Sequence, residues 1–197
     1  METIKIKEVE LVRRAKDGDS DALSQLVYLH SERIYNLSLR MMGNEQDAED
    51  VLQETFLTMI KKIYQFEGKS SFYTWLYRVA TNISLRKLKE KSLKLPHYPI
   101  SDPDFERIYS DKLNEWPDFN FSKVSRSRFK NKLNDAINQL PDIYRAVFIL
   151  RDLQNFSTED TSNILDITPS NTKIRLMRAR NFLKEKLDKI VREEGLI

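Results

Sequence analysis

The 197-residue sequence contains no cysteine, only two histidines and only four glycines. Without cysteine the chain has no disulfide, no thiolate zinc site, no iron–sulfur cluster and no cysteine nucleophile. Two histidines, His30 and His97, argue against a histidine metal site and a triad hydrolase, and so few glycines leave no Gly-rich phosphate-binding loop. We therefore expect a protein that binds other molecules, without a cofactor, rather than one that transforms them.

Long apolar segments are lacking as well. The longest apolar run, residues 146–150, is far too short to span a bilayer, and the charged N-terminus is unlike a signal peptide. We expect a cytoplasmic chain with no membrane insertion. Lys and Arg total 33 against 30 Asp and Glu, and the net charge of +3 says little about the partner.

Proline is absent before Pro96, but four prolines follow between Pro96 and Pro117. A structureless loop of this length is uncommon inside one compact domain, so the cluster predicts a linker over residues 93–127. Apolar residues recur at helical spacing on both sides of it, and no strand period is evident. The sequence predicts an all-α fold of two small helical domains, a four-helix domain at 1–92 and a helix-turn-helix domain at 128–197, joined by a flexible linker.

The predicted third helix, which begins after Asn44, is acidic in its first half. Asp47, Asp50 and Glu54 recur at i, i+3 and i+7 beside Val51. The helix dipole stabilises acidic residues in the first turn, but it does not explain this spacing. The pattern favours an exposed acidic ridge that binds a protein. The core stripe of the same helix is predicted at Leu52, Phe56, Met59, Ile60 and Ile63.

Basic and aromatic residues alternate around the predicted fourth helix, which begins near residue 71. They are Phe66, Phe72, Tyr73, Tyr77, Arg78, Arg86 and Lys89, with Asn82 among them. Such interleaving suits single-stranded nucleic acid, because cations neutralise the backbone while bases stack on aromatic rings. Tyr73 and Tyr77 fit core positions equally well, and Trp75 is expected in the core.

A short helix from Ser157, a turn over residues 166–169 and a long last helix predict a helix-turn-helix. Asn171, Ile174, Arg175 and Arg178 lie opposite the predicted core face of the last helix, with Lys173 and Met177 flanking them. The first turns of such a helix read base edges in a major groove, and basic residues further along hold phosphates. The alternative is an ordinary solvated basic face.

Four segments of the chain occur in a recognisable order: Asp47–Phe56, Phe72–Asn82, Leu140–Phe148 and Lys173–Arg180. Together they resemble bacterial RNA polymerase sigma factors of the extracytoplasmic-function (ECF) group, over residues 8–92 and 128–192. The resemblance implies an alternative sigma factor, without enzymatic activity, that directs promoter recognition, −10 melting and transcription initiation. It implies core RNA polymerase (the β′ clamp helices and the β flap) and promoter DNA as partners. An anti-sigma factor is a further candidate, and the location would be cytoplasmic, nucleoid-associated in the holoenzyme.

The resemblance also implies three sets of contact residues. Core polymerase would contact Asp47, Asp50, Val51, Gln53 and Glu54. The −10 element would contact Phe66, Lys69, Ser70, Ser71, Tyr73, Arg78, Asn82 and Arg86. The −35 element would contact Ser170, Asn171, Lys173, Ile174, Arg175, Met177 and Arg178. The linker would thread the core enzyme, and its six acidic residues from Asp102 to Asp118 suggest that it occupies a basic channel until RNA displaces it.

Some residues depart from the family pattern. Asp166 stands where the family usually has glycine, in a turn that asparagine and aspartate tolerate. Thr161, Ser162 and Thr172 replace residues that are usually less polar, which predicts a weaker core in the second domain. Asn171 and Ile174 also differ from the common residues, so the promoter sequence is not carried over.

Two alternatives stay open at this point. A stand-alone helix-turn-helix regulator would explain the last helix but not the acidic ridge or the aromatic–basic fourth helix. A helical adaptor that binds only proteins would tolerate the loss of Arg175 and Arg178.

Overall fold

A computed structural model of the chain describes residues 2–92, 102–109 and 126–193, with side chains at 8–92, 104–109 and 131–189. Every regular element in these ranges is a helix. The elements are α1 (Glu2–Lys16), α2 (Ser20–Met42), α3 (Glu45–Lys62), a 3-10 turn (Ile63–Gln65), α4 (Phe72–Ser92), α5 (Asp102–Ile108), α6 (Arg126–Asn138), α7 (Asp142–Phe148), a π turn (Ile149–Leu153), α8 (Thr158–Leu165) and α9 (Pro169–Glu193).

The helices form two compact units, and the division falls in the last turns of α4. One unit holds α1, α2, α3 and α4 as far as Leu88, and the other holds the chain from Lys89 onward. The predicted all-α fold with two small helical domains is confirmed. Within the described part of the chain, no helix is both long enough and apolar enough to cross a membrane.

Local capping residues set the helix ends in the first unit. The Asp19 carboxylate accepts hydrogen bonds from the backbone N–H groups of Asp21 (2.9 Å) and Ala22 (3.0 Å), which starts α2. Gly43 ends α2 at φ 77°, a left-handed conformation that glycine adopts without steric cost. The Asn44 side chain then accepts from the N–H of Asp47 at 2.9 Å and starts α3.

The buried face of α3 differs from the predicted stripe. Its buried residues are Ala48, Val51, Thr55, Phe56 and Met59, with Ile63 buried in the following turn. Leu52 is only half-buried and Ile60 is 45% exposed, so the predicted core positions of these two residues were wrong. Small Ala48 and Thr55 let α3 approach its neighbours closely. The Thr55 hydroxyl donates to the Val51 carbonyl at 2.6 Å, so it is buried with its hydrogen bond made.

Polar side chains hold the ends of helices together in the second unit. Buried Arg145 donates to the carbonyls of Asn138 (2.9 Å) and Leu140 (3.0 Å), which satisfies the end of α6, and burial lowers the pKa of Arg145. Arg180 of α9 donates two hydrogen bonds to Asp152 (2.8 and 2.5 Å). These bonds raise the pKa of Arg180 and join α9 to the π turn.

The segment predicted as a flexible linker contains a helix. Asp102–Ile108 forms α5, and its Phe105 is fully buried within the second unit. Helix α6 also begins at Arg126, inside the predicted linker. The prediction of an unstructured segment was wrong for these residues, because the aromatic rings of Phe105 and Tyr109 find a hydrophobic contact that a proline-and-charge pattern does not reveal. Residues 93–101 and 110–125 of the predicted linker lie outside the described residues.

Candidate protein-binding and nucleic-acid interfaces

The acidic half of α3 lies on the surface of the first unit. Its predicted polymerase-contacting polar residues are exposed Asp50 and Gln53 and half-buried Asp47 and Glu54. Val51, predicted on the same ridge, is fully buried against Met42 and Ile83. That prediction was wrong, because the true core face of α3 runs through Val51. The residue supports the acidic ridge from beneath and does not reach its surface.

Ion pairs connect the acidic ridge to α4. Glu54 pairs with Arg86, and the Lys87 ammonium lies 3.8 Å from carboxylate oxygens of both Asp50 and Glu54. All four side chains retain solvent exposure, so each pair contributes at most about 1 kcal/mol to folding. The pairs nevertheless place a residue predicted to contact polymerase in direct contact with one predicted to contact DNA.

A groove of about 430 Å³ opens between α3 and α4. Its lining residues are Glu54, Thr58, Lys61, Lys62, Gln65, Trp75, Arg78, Val79, Asn82, Ile83 and Arg86. The groove thus brings together three of the residues predicted to contact the −10 element, which are Arg78, Asn82 and Arg86. Their donors and cations share a concave wall with the indole of Trp75, an arrangement that suits one unpaired base and its phosphates.

Seven of these lining residues were not predicted as contacts from the sequence, and the four that add a ring, a charge or an amide to the groove are Trp75, Lys61, Lys62 and Gln65. Trp75, predicted in the core, is half-buried at the groove. The spacing Trp75, Arg78, Asn82 (i, i+3, i+7) is the signal that could have placed it on the basic face. Lys61 and Lys62 come from the end of α3 and Gln65 from the 3-10 turn after it, and their contribution becomes visible only when α3 is packed beside α4.

The loop before α4 is held at its base by aromatic contacts. The Phe66 ring lies 5.7 Å from Phe72 and 5.6 Å from Trp75, and the Lys16 ammonium donates to the Phe66 carbonyl at 2.9 Å. Half-buried Phe66 is therefore part of the support for the loop. Burial of Phe72 anchors the start of α4 in the core.

The tip of this loop is open to solvent. Gly68 has a φ of 74°, and the adjacent Lys69 side chain is 86% exposed and pairs with Glu67. The Ser71 hydroxyl accepts from the N–H of Thr74 at 3.0 Å and caps α4. Among the predicted −10 contacts, Lys69 and Ser71 are exposed, whereas Ser70 is half-buried.

The two tyrosines of α4 occupy different environments. Tyr77 is fully buried, so the core alternative holds for it, and burial raises the pKa of its phenol. Tyr73 is half-buried, with its ring 4.4 Å from Tyr77 and the Arg33 guanidinium 5.5 Å from its centre. Tyr73 is therefore the tyrosine that retains an accessible edge.

In the second unit, α8 and α9 form the predicted helix-turn-helix. Asp166 adopts the left-handed conformation at φ 55° that the turn requires. The Thr168 hydroxyl accepts from the N–H of Asn171 at 3.1 Å and caps α9, whose first residue is Pro169. The exposed residues on the first turns of α9 are Ser170, Asn171, Lys173 and Ile174. These four form a protruding surface able to enter a groove of duplex DNA.

The remaining predicted −35 residues, Arg175, Met177 and Arg178, are half-buried. The Arg175 guanidinium lies 5.9 Å from the centre of the Tyr144 ring, and Arg178 lies 3.0 Å from a carboxylate oxygen of Glu106. The prediction that these two arginines face away from the body of the domain was therefore wrong. The Tyr144 ring on α7 and the Glu106 carboxylate on α5 attract the two guanidinium groups toward the rest of the unit.

Sequence comparison places these surfaces within known regions. The family Sigma-70 region 2 matches residues 26–93, and the family Sigma-70, region 4 matches residues 130–183. The ECF RNA polymerase sigma factor SigW of Bacillus subtilis is 31% identical over 182 residues, which cover 89% of this chain and 94% of SigW. This chain belongs to the ECF RNA polymerase sigma factors. It directs promoter recognition and transcription initiation.

Further relatives of the sigma factor agree with this assignment. The RNA polymerase sigma-H factor of Pseudomonas aeruginosa is 29% identical over 184 residues, covering 93% of this chain and 95% of the relative. Among solved structures, CnrH in complex with the cytosolic domain of CnrY has a TM-score of 0.64 at 20% identity, covering 91% of this sigma factor and 96% of CnrH. At that identity the structure shows a shared fold. The acidic half of α3 and the groove fall in region 2, and α8 and most of α9 fall in region 4.

Proposed function

We propose that the sigma factor divides its work among three surfaces: the acidic half of α3 binds core polymerase, the α3–α4 groove binds the −10 element, and the first turns of α9 bind the −35 element. The domain boundaries that go with this proposal are 1–92, 93–127 and 128–197. The observation that carries it is the groove, because three residues at helical spacing on α4 meet the basic end of α3 there.

In the −10 assignment, the groove receives an unpaired base of the melted promoter. Arg78 and Asn82 supply hydrogen-bond donors on one wall, and Lys61 and Lys62 add positive charge on the other. Stacking on an aromatic side chain stabilises an unpaired base by about 1–3 kcal/mol. Trp75 is the aromatic ring placed in the groove to do this, which is how the protein favours strand opening. Tyr73 lies on the α2 side of α4, beside Arg33, and would act outside the groove.

In the polymerase assignment, Asp50, Gln53 and Glu54 face the β′ clamp helices. Charged residues at the rim of such an interface steer association and fix its register. Because Glu54 also pairs with Arg86, a partner that takes over Glu54 makes Arg86 available to the DNA backbone. Polymerase binding thereby prepares the −10 surface, which accords with a protein that acts as part of a holoenzyme.

In the −35 assignment, Asn171 and Ile174 contact base edges in the major groove while Ser170 and Lys173 contact the backbone. An asparagine amide pairs well with adenine, and an aliphatic side chain fits a thymine methyl group. Exposure of Ile174 at 41% has no structural benefit within the unit, and a thymine contact gives it one.

Further parts of the proposal concern partners and place. The β flap is proposed as the polymerase contact of the second unit, and the sigma factor works in the cytoplasm without chemistry of its own. Restraint by an anti-sigma factor stays a prediction. So does occupation of a basic channel by the acidic linker, which unchanged abortive synthesis and promoter escape after linker neutralisation would contradict.

The experiment that tests the proposal measures polymerase-dependent transcription. The purified sigma factor is mixed with core RNA polymerase and a library of promoter-like duplexes, and the 5′ ends of the transcripts are sequenced. We expect a set of enriched start sites that share two upstream sequence elements. Equal start-site patterns with and without the sigma factor would contradict the function. Enrichment that survives removal of the groove cations would contradict the −10 assignment alone.

A further inference from the structure

Helix α5 is seated on the second unit by an aromatic cluster. The fully buried Phe105 ring lies 4.4 Å from Tyr144, 4.8 Å from Tyr109 and 5.6 Å from Phe182, measured between ring centres. These rings come from α5 and the residue after it, from α7 and from α9. Because aromatic contacts of this kind fix a short helix in position, α5 is held at a defined place beside α9.

A second contact links the residue that follows α5 to α9. The Tyr109 hydroxyl donates a hydrogen bond to the Glu185 carboxylate at 3.0 Å. Burial and this carboxylate raise the pKa of Tyr109 to about 12, so the phenol keeps its proton and stays a donor at neutral pH. The two contacts leave the middle of α5 with one orientation relative to α9.

That orientation points Glu106 at an arginine of the proposed DNA-binding helix. One carboxylate oxygen of Glu106 lies 3.0 Å from the Arg178 guanidinium and also accepts from the Tyr144 hydroxyl at 3.0 Å. The Arg178 side chain is only 18% exposed. Arg178 lies four residues after exposed Ile174 and seven after exposed Asn171, on the same side of α9.

A carboxylate and a phosphate compete for a guanidinium, since both offer paired anionic oxygens to its N–H groups. We propose that α5 is an intramolecular clasp, in which Glu106 occupies Arg178 in place of a DNA phosphate and lowers the affinity of the second unit for duplex DNA. This inference rests on the proposed binding of α9 to the −35 duplex. The aromatic cluster keeps Glu106 close whether or not DNA is bound, so the carboxylate also repels a phosphate that approaches Arg178.

The clasp makes duplex binding conditional on a change in α5. A partner that moves α5, or that pairs with Glu106, returns Arg178 to the DNA-binding surface without any change in the fold of α8 or α9. The exposed contacts at Asn171, Lys173 and Ile174 do not depend on the clasp. Glu106 therefore reduces the affinity for DNA through the backbone contact and leaves the base preference unaltered.

The test measures duplex binding by the full-length chain. A fluorescein-labelled duplex carrying a −35 element from the enriched start sites is titrated by fluorescence anisotropy, at several salt concentrations, with the wild type and Glu106→Gln. We expect Glu106→Gln to bind about fivefold more tightly at low salt, a typical size for such coupling. The slope of log affinity against log salt should steepen by about 0.9, the value of one additional phosphate contact.

A matched control and a double-mutant cycle separate the clasp from a general charge effect. Asp104→Asn removes the same charge from the same helix, where Asp104 lies 3.5 Å from the Arg107 guanidinium, and it should leave the salt slope unchanged. Arg178→Gln should bind about as tightly as the wild type, because Glu106 already keeps Arg178 from the phosphate there, and in that background Glu106→Gln should have no further effect. Thermal unfolding of each variant checks that the fold is retained.

Three results would overturn the clasp. Equal affinities and slopes for Glu106→Gln and Asp104→Asn would show that Glu106 does not compete with DNA. Additive effects of Glu106→Gln and Arg178→Gln would show that it does not act through Arg178. Loss in the Arg178 variant without gain in the Glu106 variant rejects the clasp while keeping the −35 assignment.

Discussion

In the first unit, Arg78 and Asn82 are exposed along a groove between two helices, whereas in the second unit Arg175 and Arg178 lie half-buried against a tyrosine ring and a carboxylate. The difference follows the kind of nucleic acid each surface suits. An unpaired base has to be enclosed, which requires a concavity lined by an aromatic ring and donors. A duplex groove has to be entered by a protruding helix, and such a helix has neighbours at its sides that can hold its cations back.

The comparison also separates the side chains proposed to contact DNA directly from those whose contact with DNA is proposed to be controlled by an ion pair. In the first unit Arg86 is tied to the acidic ridge through Glu54, whereas the Arg78, Lys61 and Lys62 side chains are exposed at the proposed −10 surface. In the second unit the uncharged residues Asn171 and Ile174, which are proposed to contact bases, are exposed. Its arginines, Arg175 and Arg178, are half-buried. In the proposed −35 assignment, base reading and backbone binding thus rest on different residues of α9, and the proposed clasp would act only on backbone binding.

The largest effect is expected from the groove. The double change Arg78→Gln and Asn82→Ala should lower open-complex formation about hundredfold or more, because each of the two lost hydrogen bonds to charged backbone groups costs about 1.5–3 kcal/mol. Permanganate reactivity of unpaired thymines in the −10 element, measured in holoenzyme, reports the opening.

The matched control is Arg40→Gln, which removes one charge at an exposed position outside the groove. Binding to a −35 duplex should be unaltered in both variants. If the control lowers opening as much as the groove variant, overall charge rather than the groove accounts for the effect, and the contrast between the two units is lost.

The next largest effect concerns the acidic ridge. Replacing Asp50 and Glu54 by Lys should weaken binding to core polymerase about tenfold or more, since like charges placed across an interface cost several kcal/mol. Sedimentation or surface-based binding of the purified proteins measures it. Glu32→Lys, an exposed charge reversal on α2, is the control and should bind normally. Retained affinity in the double variant would show that the docking surface lies elsewhere.

A smaller effect compares how the two units are packed. Thr81 in the first unit and Thr161 in the second are both fully buried, and neither hydroxyl has a hydrogen-bond partner. Replacing either by Val should stabilise its own unit by about 1 kcal/mol, because the unpaired hydroxyl is removed without loss of volume. Hydrogen exchange followed by mass spectrometry assigns the gain, to the α4 amides for Thr81→Val and to the α8 and α9 amides for Thr161→Val.

The control for this pair is Ser162→Ala. The Ser162 hydroxyl donates to the Glu159 carbonyl at 2.7 Å, so its removal should give no stabilisation. An equal gain for Ser162→Ala and Thr161→Val would mean that polarity alone, not the missing partner, weakens the second core.

The smallest effect concerns the helix caps. The hydrogen bond from the backbone N–H of Ala22 and then the bond from the Arg14 guanidinium hold the pKa of Asp19 below its ordinary value of 3.8. Because the folded-state pKa is lowered, the contribution of Asp19 to stability is complete above pH 3.8 and is lost as the pH falls through the folded-state value. Thr168, the cap of α9, carries no titrating group.

Hydrogen exchange at low pH should therefore show earlier loss of protection at the start of α2 in the wild type than in Asp19→Asn, which keeps a capping side chain but does not titrate. The start of α9 should show no such difference. If protection at the start of α2 depends on pH equally in the wild type and in Asp19→Asn, Asp19 is not the source of that dependence.

Much of the fold follows from local sequence. Asp19, Gly43, Asn44, Ser157 and Thr168 mark helix ends because a cap depends on a few consecutive residues and on backbone geometry alone. Apolar spacing likewise identifies α4 and α9. The all-α architecture and the helix-turn-helix were therefore predictable, as was the membership of the family.

Which side chains are exposed, and which ones pair across helices, could be found only from the tertiary structure. Val51 was predicted at the surface and is buried, whereas Ile60 was predicted in the core and is exposed. The small residues Ala48 and Thr55 decide which face of α3 can approach its neighbours, and a helical wheel that marks only apolar residues does not take side-chain size into account. The α5 helix escaped prediction because its aromatic partners lie on α7 and α9, far along the chain.

The chain composition and its short motifs by themselves determined the helices, their caps and the kind of protein this is, since these depend on neighbours within a few residues. Only the tertiary structure decided which charges are available. It set Trp75 and the lysines of α3 beside Arg78 in one groove, and it placed Glu106 on Arg178. Packing brings together residues that are distant in sequence. The burial of these pairs and the compensation of their charges therefore cannot be read from the order of residues along the chain.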